Sequence, residues 1–252
     1  MNTFNIKNKV MVITGATRGI GRSLVDYFVE QGVQVAAIGS REESAKRLLE
    51  EMAEEGHPIR TYALDVRDVP AIQPVFDQIA KDFGSIDILV NCAGMGNPIP
   101  AIDVTQEDWN TMMDLNLRGC FFCSQAAAKH MLPKQYGRII NVSSQLAFVA
   151  NENESIYCAS KGGLNNLTRC LSYEWSKSGV IVTAVAPTFV YTPGTAERLD
   201  TPSFRQNVMS RIPRGRLGNV TDVGAAIHYL ASDFADMASG SCLVIDGGWT
   251  IV

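Results

Sequence analysis

Seven short runs rich in valine and isoleucine recur along the chain, at residues 9–14, 33–38, 59–64, 86–91, 138–142, 180–186 and 242–245, with amphipathic stretches of helical period between them. Runs that are apolar throughout, rather than alternately apolar and polar, belong to strands buried on both faces. Strands of that kind, separated by helices, form parallel sheets joined by crossovers. The pattern predicts a doubly wound α/β fold, with a seven-stranded parallel sheet and helices on both faces, as a single domain over residues 1–252. Length alone would also admit two small domains, but no repeat, low-complexity tract or linker divides the sequence.

Charge narrows the partners. With 22 basic and 26 acidic residues the chain carries −4, and no run of Lys and Arg offers a footprint for nucleic acid or an anionic membrane. No segment approaches the ~18 consecutive apolar residues that span a bilayer. Residues 1–9 hold no apolar stretch of the kind a secretion signal needs, which predicts a cytoplasmic protein. The six cysteines, 92, 120, 123, 158, 170 and 242, follow no staple-like spacing and read as reduced thiols. Cys120 and Cys123 have the spacing of a redox or zinc pair, but they lie in an apolar helical stretch and no second pair accompanies them. The three histidines share no ligand spacing, and no metal site is predicted.

Local signals place several elements. Ser40 and Thr105 each stand three residues before an acid, as a capping box or its variant requires. The stretch 188–218, with Pro193, Pro202 and Pro213, is the most irregular part of the chain. It follows the sixth strand, at the edge where an open parallel sheet binds ligands, and is predicted to form a lid over the substrate. The competing reading is a surface excursion without function.

Directly after the first run comes Thr14-Gly15-Ala16-Thr17-Arg18-Gly19-Ile20-Gly21, leading into a helical pattern. Glycines between strand and helix let the backbone approach a pyrophosphate and aim the free N–H groups of the helix start at it. The spacing G-x-x-x-G-x-G after a threonine resembles the turn of the short-chain dehydrogenase/reductase family, and the resemblance extends over essentially the whole chain. Asp65 and Val66, after the third run, resemble that family's adenine contact. Asn91-Cys92-Ala93-Gly94 resembles its Asn-Asn-Ala-Gly element, with Cys92 as a departure. The resemblance implies a nicotinamide dinucleotide held by Gly15, Thr17, Arg18, Gly19, Ile20, Gly21, Asp65, Val66, Asn91, Ala93 and Gly94. It adds Pro187, Val190 and Thr192 on the nicotinamide side, although the family's Pro-Gly pair reads Pro187-Thr188 here.

The end of the second run decides between the cofactors. A carboxylate there suits the ribose hydroxyls of NAD, whereas cations suit the extra phosphate of NADP. The sequence reads Gly39-Ser40-Arg41, and Arg18 supplies a second cation, so the reading favours NADP, with NAD as the alternative.

Tyr157 and Lys161 are four residues apart in a helical stretch, which puts phenol and ammonium on one face. A free phenol titrates at ~10, and a neighbouring cation lowers that value toward the range a general base needs. Gly162-Gly163 inside the same helix points to close approach of another backbone. Asn116 is an amide in an apolar helical region that must find partners. The family's catalytic set is Asn, Ser, Tyr and Lys, with the serine thirteen residues before the tyrosine, a count that Ser144 meets and Ser143 misses by one. The resemblance implies that Tyr157 exchanges the proton, Ser144 hydrogen-bonds the reacting oxygen, Lys161 supports the tyrosine and the ribose, and Asn116 orders a water leading to solvent.

Residues flanking this set should contact the small-molecule substrate: Ser144, Gln145, Asn151 and Tyr157, with Phe189 and Tyr191 from the lid. The polar run 151–154 suits a hydroxylated ligand, because unpaired buried polar groups cost ~1–3 kcal/mol each; the same run also reads as a solvated loop. Local resemblance to the carbonyl/L-xylulose reductase branch points to a polyol, ketose or sugar acid. A 3-oxoacyl thioester or another hydrophobic ketone is the alternative substrate, and a nucleotide-sensing regulator without turnover is the alternative of another class. The last strand and tail resemble those that build the family's tetramers, which implies a homotetramer.

Overall fold

The computed structural model describes residues 4–251; Met1–Thr3 of the opening segment and Val252 lie outside the described residues. Seven parallel strands form one sheet: β1 (Val10–Thr14), β2 (Gln34–Gly39), β3 (Arg60–Ala63), β4 (Ile88–Asn91), β5 (Gly137–Val142), β6 (Val180–Pro187) and β7 (Cys242–Ile245), in the order β3-β2-β1-β4-β5-β6-β7. Expected and observed strands agree to within a residue or two at each end. Val33, for example, donates its N–H to the Phe28 carbonyl at 3.1 Å, so β2 begins one residue later than the apolar run.

Side-chain parity builds the core. Met11 and Ile13 enter one apolar cluster and Val12 the other, and the same division separates Val35 and Ala37 from Ala36 and Ile38. The first cluster is covered by α1 (Gly19–Glu30), α2 (Glu42–Glu54) and α9 (Val220–Ala231), and the second by α3 (Val69–Phe83), α5 (Gly119–Met131) and α6 (Ser155–Trp175). Met11, Val12 and Ile13 are all fully buried, at about 1.5–3 kcal/mol for each large side chain, which is why the strands carry no alternation.

Thr105 forms the expected capping box with Asp108 at the start of α4 (Gln106–Met113). The Ser40 expectation fails: α2 starts at Glu42, its N-cap residue is Arg41, and no side chain caps it. The lid is also more regular than its prolines suggested. Pro193 and Pro202 open α7 (Pro193–Leu199) and α8 (Pro202–Ser210), positions where proline's fixed φ and missing N–H cost a helix nothing. Gly218 donates to the Phe189 carbonyl at 2.9 Å and Tyr191 to the Gly218 carbonyl at 3.1 Å, which brings the two ends of the lid together. Leu199, Val208 and Ile212 of this segment bury a small core of their own against Trp249.

Candidate active site

β1 pairs with β2 on one side and β4 on the other, so chain direction across the sheet reverses between β1 and β4. Ligand crevices of open α/β sheets lie at the carboxyl ends of the strands at such a reversal. Here the two backbones touch. Gly15 has φ +67°, and a Cβ on it would lie 2.7 Å from Ala93 Cα. Thr14 Oγ1 accepts from both Cys92 N and Ala93 N at 3.1 Å, which fastens the end of β4 to the end of β1. A Cβ on Gly21 would meet the Gly15 carbonyl oxygen at 2.2 Å, so the turn closes only with glycine there.

These features form a cradle that suits a pyrophosphate. The N-cap residue of α1 is Arg18, and no side chain caps the helix, which leaves the first-turn N–H groups for an anion. Thr17 packs where a Cβ on Gly39 would sit, 2.5 Å from its Cγ2, so the glycine turn abuts the end of β2. Ser40, Arg18 and Arg41 are exposed, and among the described residues neither arginine pairs with a carboxylate. Ile20 packs against the first apolar cluster and anchors the start of α1. Thr192 lies above the turn: its Oγ1 is 3.9 Å from the Cβ position of Gly19. Val190 is buried beside Gly218, and Pro187 ends β6.

Two expected cofactor contacts have other commitments. The Asn91 amide does not open onto the crevice; it is buried and donates to Ser124 Oγ and Asn141 Oδ1, both at 2.9 Å, which ties β4 to α5 and β5. β4 is buried on both faces, so the sequence carried no sign of which way the amide would point. The Asp65 carboxylate is engaged by Arg67, whose Nε and Nη2 donate at 3.0 and 2.6 Å; these bonds hold it below the usual carboxylate range against the opposing effect of burial. Val66 is buried against Gly119, where a Cβ would meet its Cγ2 at 2.8 Å.

Of the four candidate catalytic residues, Ser144 lies just past the end of β5, Asn116 between α4 and α5, and Tyr157 and Lys161 on α6. Asn116 lies in a π-helical turn, Asp114–Arg118, between α4 and α5. Its amide is fully buried: Oδ1 accepts from Met95 N at 2.9 Å, and Nδ2 donates to Met95 O at 2.8 Å and Ser160 Oγ at 3.1 Å. A Cβ on Gly94 would be 3.2 Å from Asn116 Oδ1 and 3.5 Å from Lys161 Nζ, so amide and ammonium border the same spot. Lys161 is buried, donates to the Val142 carbonyl at 2.8 Å, and holds its charge 5.8 Å from the Tyr157 ring centroid. Tyr157 is half-buried in the first turn of α6, and Gly96 passes 3.5 Å from its Cδ2, measured from the Cβ position. Ser144 Oγ accepts from Leu146 N at 3.1 Å, which leaves its hydroxyl hydrogen to donate. The Ser143 hydroxyl is buried without a protein partner.

The glycines of α6 do not admit a backbone as expected. Gly163 makes room for the Leu117 side chain, 3.1 Å from the Cβ position, and the nearest atom to Gly162, Ala147 O at 3.9 Å, is in ordinary contact. Nothing in the structure explains Gly162.

The expected substrate residues divide. Gln145 is buried, and its Oε1 has no protein partner. Asn151 accepts from Arg211 at 3.2 Å, Phe189 packs on Phe204 of the lid and on Trp249 after β7, and the exposed Tyr191 donates to Asp200 at 3.0 Å. These three are engaged with the lid itself. The run 151–154 divides: Glu152 and Asn153 are exposed to solvent, whereas Asn151 meets Arg211 and Glu154, only 5% exposed, faces Arg198 at 3.7 Å. Sequence reasoning missed Thr14, Ser160, Arg198 and Arg211. The threonine at the start of the glycine turn was a visible signal; lid arginines in an irregular stretch were not.

A family model described as enoyl-(acyl carrier protein) reductase matches residues 15–250. D-threitol dehydrogenase of Mycolicibacterium smegmatis is 38% identical over 98% of this chain and 95% of its own length. The 3-oxoacyl-[acyl-carrier-protein] reductase of Thermotoga maritima is 35% identical over 98% and 99%. The crystal structure of a gluconate 5-dehydrogenase from Burkholderia cenocepacia, in complex with NADP and tartrate, superposes with a TM-score of 0.94 at 31% identity, covering 99% of this chain and 98% of that one.

Proposed function

This chain belongs to the short-chain dehydrogenase/reductase family and is an NAD(P)-dependent enzyme of CH–OH groups; from that premise we propose that it interconverts a secondary alcohol and ketone of a polyol, ketose or sugar acid, with NADP. The observation that carries the reading is the meeting of Asn116 Oδ1 and Lys161 Nζ beside Gly94, next to the glycine cradle and one helical turn from Tyr157. NADP is supported by the unpaired, exposed Arg18 and Arg41 and by the NADP complex of the Burkholderia relative. The polyol class is supported by the D-threitol dehydrogenase relative and by the buried polar Gln145.

In this reading the glycine turn, Arg18, Ser40 and Arg41 hold the dinucleotide, and Pro187, Val190 and Thr192 border its nicotinamide end. The bound nicotinamide supplies the hydride acceptor or donor. Tyr157 exchanges the proton with the carbinol or carbonyl oxygen. Ser144, its hydroxyl hydrogen free, donates to that oxygen and stabilises the negative charge that develops there. Lys161 is fixed by Val142 and presents its charge to the same region. Asn116 is a positioning residue that locks Met95 and Ser160 around Lys161. Residues 188–218 act as the substrate lid of a single domain spanning the chain.

The test is an absorbance screen of reduced nicotinamide, with NADP and NAD, against polyols, sugar acids, ketoses and diketones. Turnover of a hydroxylated substrate with NADP supports the reading. Faster reduction of a 3-oxoacyl thioester would favour the alternative to which the Thermotoga reductase points. Nucleotide binding with no turnover at all would favour a sensor. Among the described residues no helix is long and apolar enough to cross a membrane. A cytoplasmic homotetramer is part of the same proposal; its assembly is supported by the groove that half-buried Met113, Leu117, Phe121 and Leu167 line between α4, α5 and α6. Fractionation and light scattering test it.

A further inference from the structure

The body of the lid, residues 191–212, reaches the rest of the molecule through two arginines. Among the described residues, hydrogen bonds and ion pairs from this stretch to anything outside the lid come from Arg198 and Arg211 alone, and both land on one short segment, 151–154. Arg211 Nη1 donates to Asn151 Oδ1 at 3.2 Å, and its guanidinium lies 4.2 Å from the Trp249 ring centroid. Arg198 Nη1 faces Glu154 Oε1 at 3.7 Å, with its guanidinium 4.3 Å from the Phe204 ring centroid. Each cation is stacked on an aromatic face, which fixes where its donors point.

The segment they hold is anchored in turn. The Asn153 carbonyl accepts from Ile99 N at 2.8 Å, and Cys158 N donates to the Glu154 carbonyl at 2.8 Å. Residues 151–154 are thereby pinned to the loop after β4 and run directly into the first turn of α6, where Tyr157 stands. A contact on this segment sets where the lid lies relative to Tyr157. The two contacts differ in kind: Asn151 offers a neutral acceptor, whereas Glu154 is a carboxylate only 5% exposed. Burial pushes that carboxyl above its ordinary range, and Arg198 only partly offsets this. Removing the cation from a buried pair leaves an uncompensated charge, while making both partners uncharged removes most of that penalty.

We propose that Arg198 and Arg211 are positioning residues, a two-point latch that holds the lid in register with Tyr157 and releases each time a ligand enters or leaves. That the latched lid covers a substrate rests on the functional reading above; the latch itself rests on the contacts. Opening hydrates the Glu154 carboxylate, so the closed state depends on Arg198 to match its charge.

Hydrogen exchange followed by mass spectrometry reads lid opening without any substrate. Arg198→Gln should speed exchange in α8 by about 10-fold or more, and Arg211→Gln should speed it in α7 by about 3-fold or more, with β1 unchanged in both as the check that the sheet is folded. Adding Glu154→Gln to Arg198→Gln should return α8 to within about 3-fold of wild type, because the buried charge that opposed closure is gone. Arg198→Gln should also raise the KM of whichever substrate the absorbance screen identifies more than it lowers kcat, with the Kd for NADPH within about 2-fold. Wild-type exchange in both arginine variants would show that apolar contact with Trp249 holds the lid alone, and overturns the proposal. A double variant no better than Arg198→Gln does the same, since it marks plain loss of packing; a KM unchanged in Arg198→Gln overturns the positioning role. If wild type oxidises no polyol and reduces no ketose while the exchange pattern holds, the functional reading fails and the latch stands.

Discussion

Lys161 Nζ donates to the main-chain carbonyl of Val142 at 2.8 Å, which ties the middle of α6 to the last residue of β5, two residues before Ser144. The ammonium therefore sits in a fixed gap bounded by that carbonyl, the Asn116 amide and Gly94. A guanidinium keeps the charge but is planar and wider, and a displacement of ~1 Å at such a site costs about 10²-fold in rate. We expect Lys161→Arg to lose at least that much in kcat at saturating nucleotide. Near-native turnover would show that charge alone suffices.

Tyr157→Phe removes one oxygen from a half-buried ring flanked by Gly96. Packing and the cradle at Gly15, Gly19 and Gly21 stay intact, so the nucleotide Kd should change by less than about 3-fold. Turnover should fall by about 10²–10⁴-fold, the usual contribution of a positioned acid–base group. Fluorescence titration and steady-state rates separate the two effects.

Arg18 and Arg41 are exposed and, among the described residues, pair with no carboxylate. Replacing either by alanine removes a donor that only a 2′-phosphate would use, and solvent screening limits the loss to about 10-fold. The Kd for NADPH should rise by that factor while the Kd for NADH stays within about 2-fold. Equal losses for both nucleotides would move these arginines to the pyrophosphate instead.

The sheet was legible because β1, β4, β5 and β6 are apolar runs buried on both faces, which leaves no other place for such segments; the edge strands β3 and β7 are only partly buried. The four-residue spacing of Tyr157 and Lys161 puts both on one face of α6, whereas Ser144 was singled out over Ser143 by the family resemblance and not by spacing. Three features were hidden for physical reasons. The amide of Asn91 could point into the core or the crevice from a strand with no polar face, and only the Asn141 and Ser124 partners decide it. The π turn that seats Asn116 depends on tertiary contacts, not on propensity. The prolines of the lid signal turns and helix starts equally well, and α7 and α8 took the second option.

Asp246 closes the turn after β7. Its carboxylate accepts from Gly248 N at 2.9 Å and from Thr250 N and Oγ1 at 2.7 Å, and it thereby delivers Trp249 to the lid core. Burial raises its pKa, but these bonds outweigh burial and hold it below the ordinary carboxylate value. A depressed folded pKa means stability that is present above the unfolded value of about 3.9 and lost as pH falls through the folded one. Asp246→Ala should cost about 2–3 kcal/mol at neutral pH in urea unfolding. The gap between variant and wild type should narrow as pH drops below about 4; a gap independent of pH would assign the loss to shape rather than charge.

Thiol chemistry offers an independent check on the core. Burial pushes Cys92 up to about 12 and Cys242 up to about 11, and it raises Cys120, Cys123 and Cys158 as well. Cys170 is exposed. The thiolate is the reactive form, so a buried thiol with a raised pKa is protected twice, by access and by protonation. Ellman's reagent at mildly alkaline pH should label one thiol rapidly in the native protein, and Cys170→Ser should abolish that phase. Denaturation in guanidinium should expose all six. Rapid native labelling of Cys120 and Cys123 would instead revive the redox-pair reading of their spacing, because such a pair needs at least one thiol that ionises readily, and a helix face buried against the sheet denies it that.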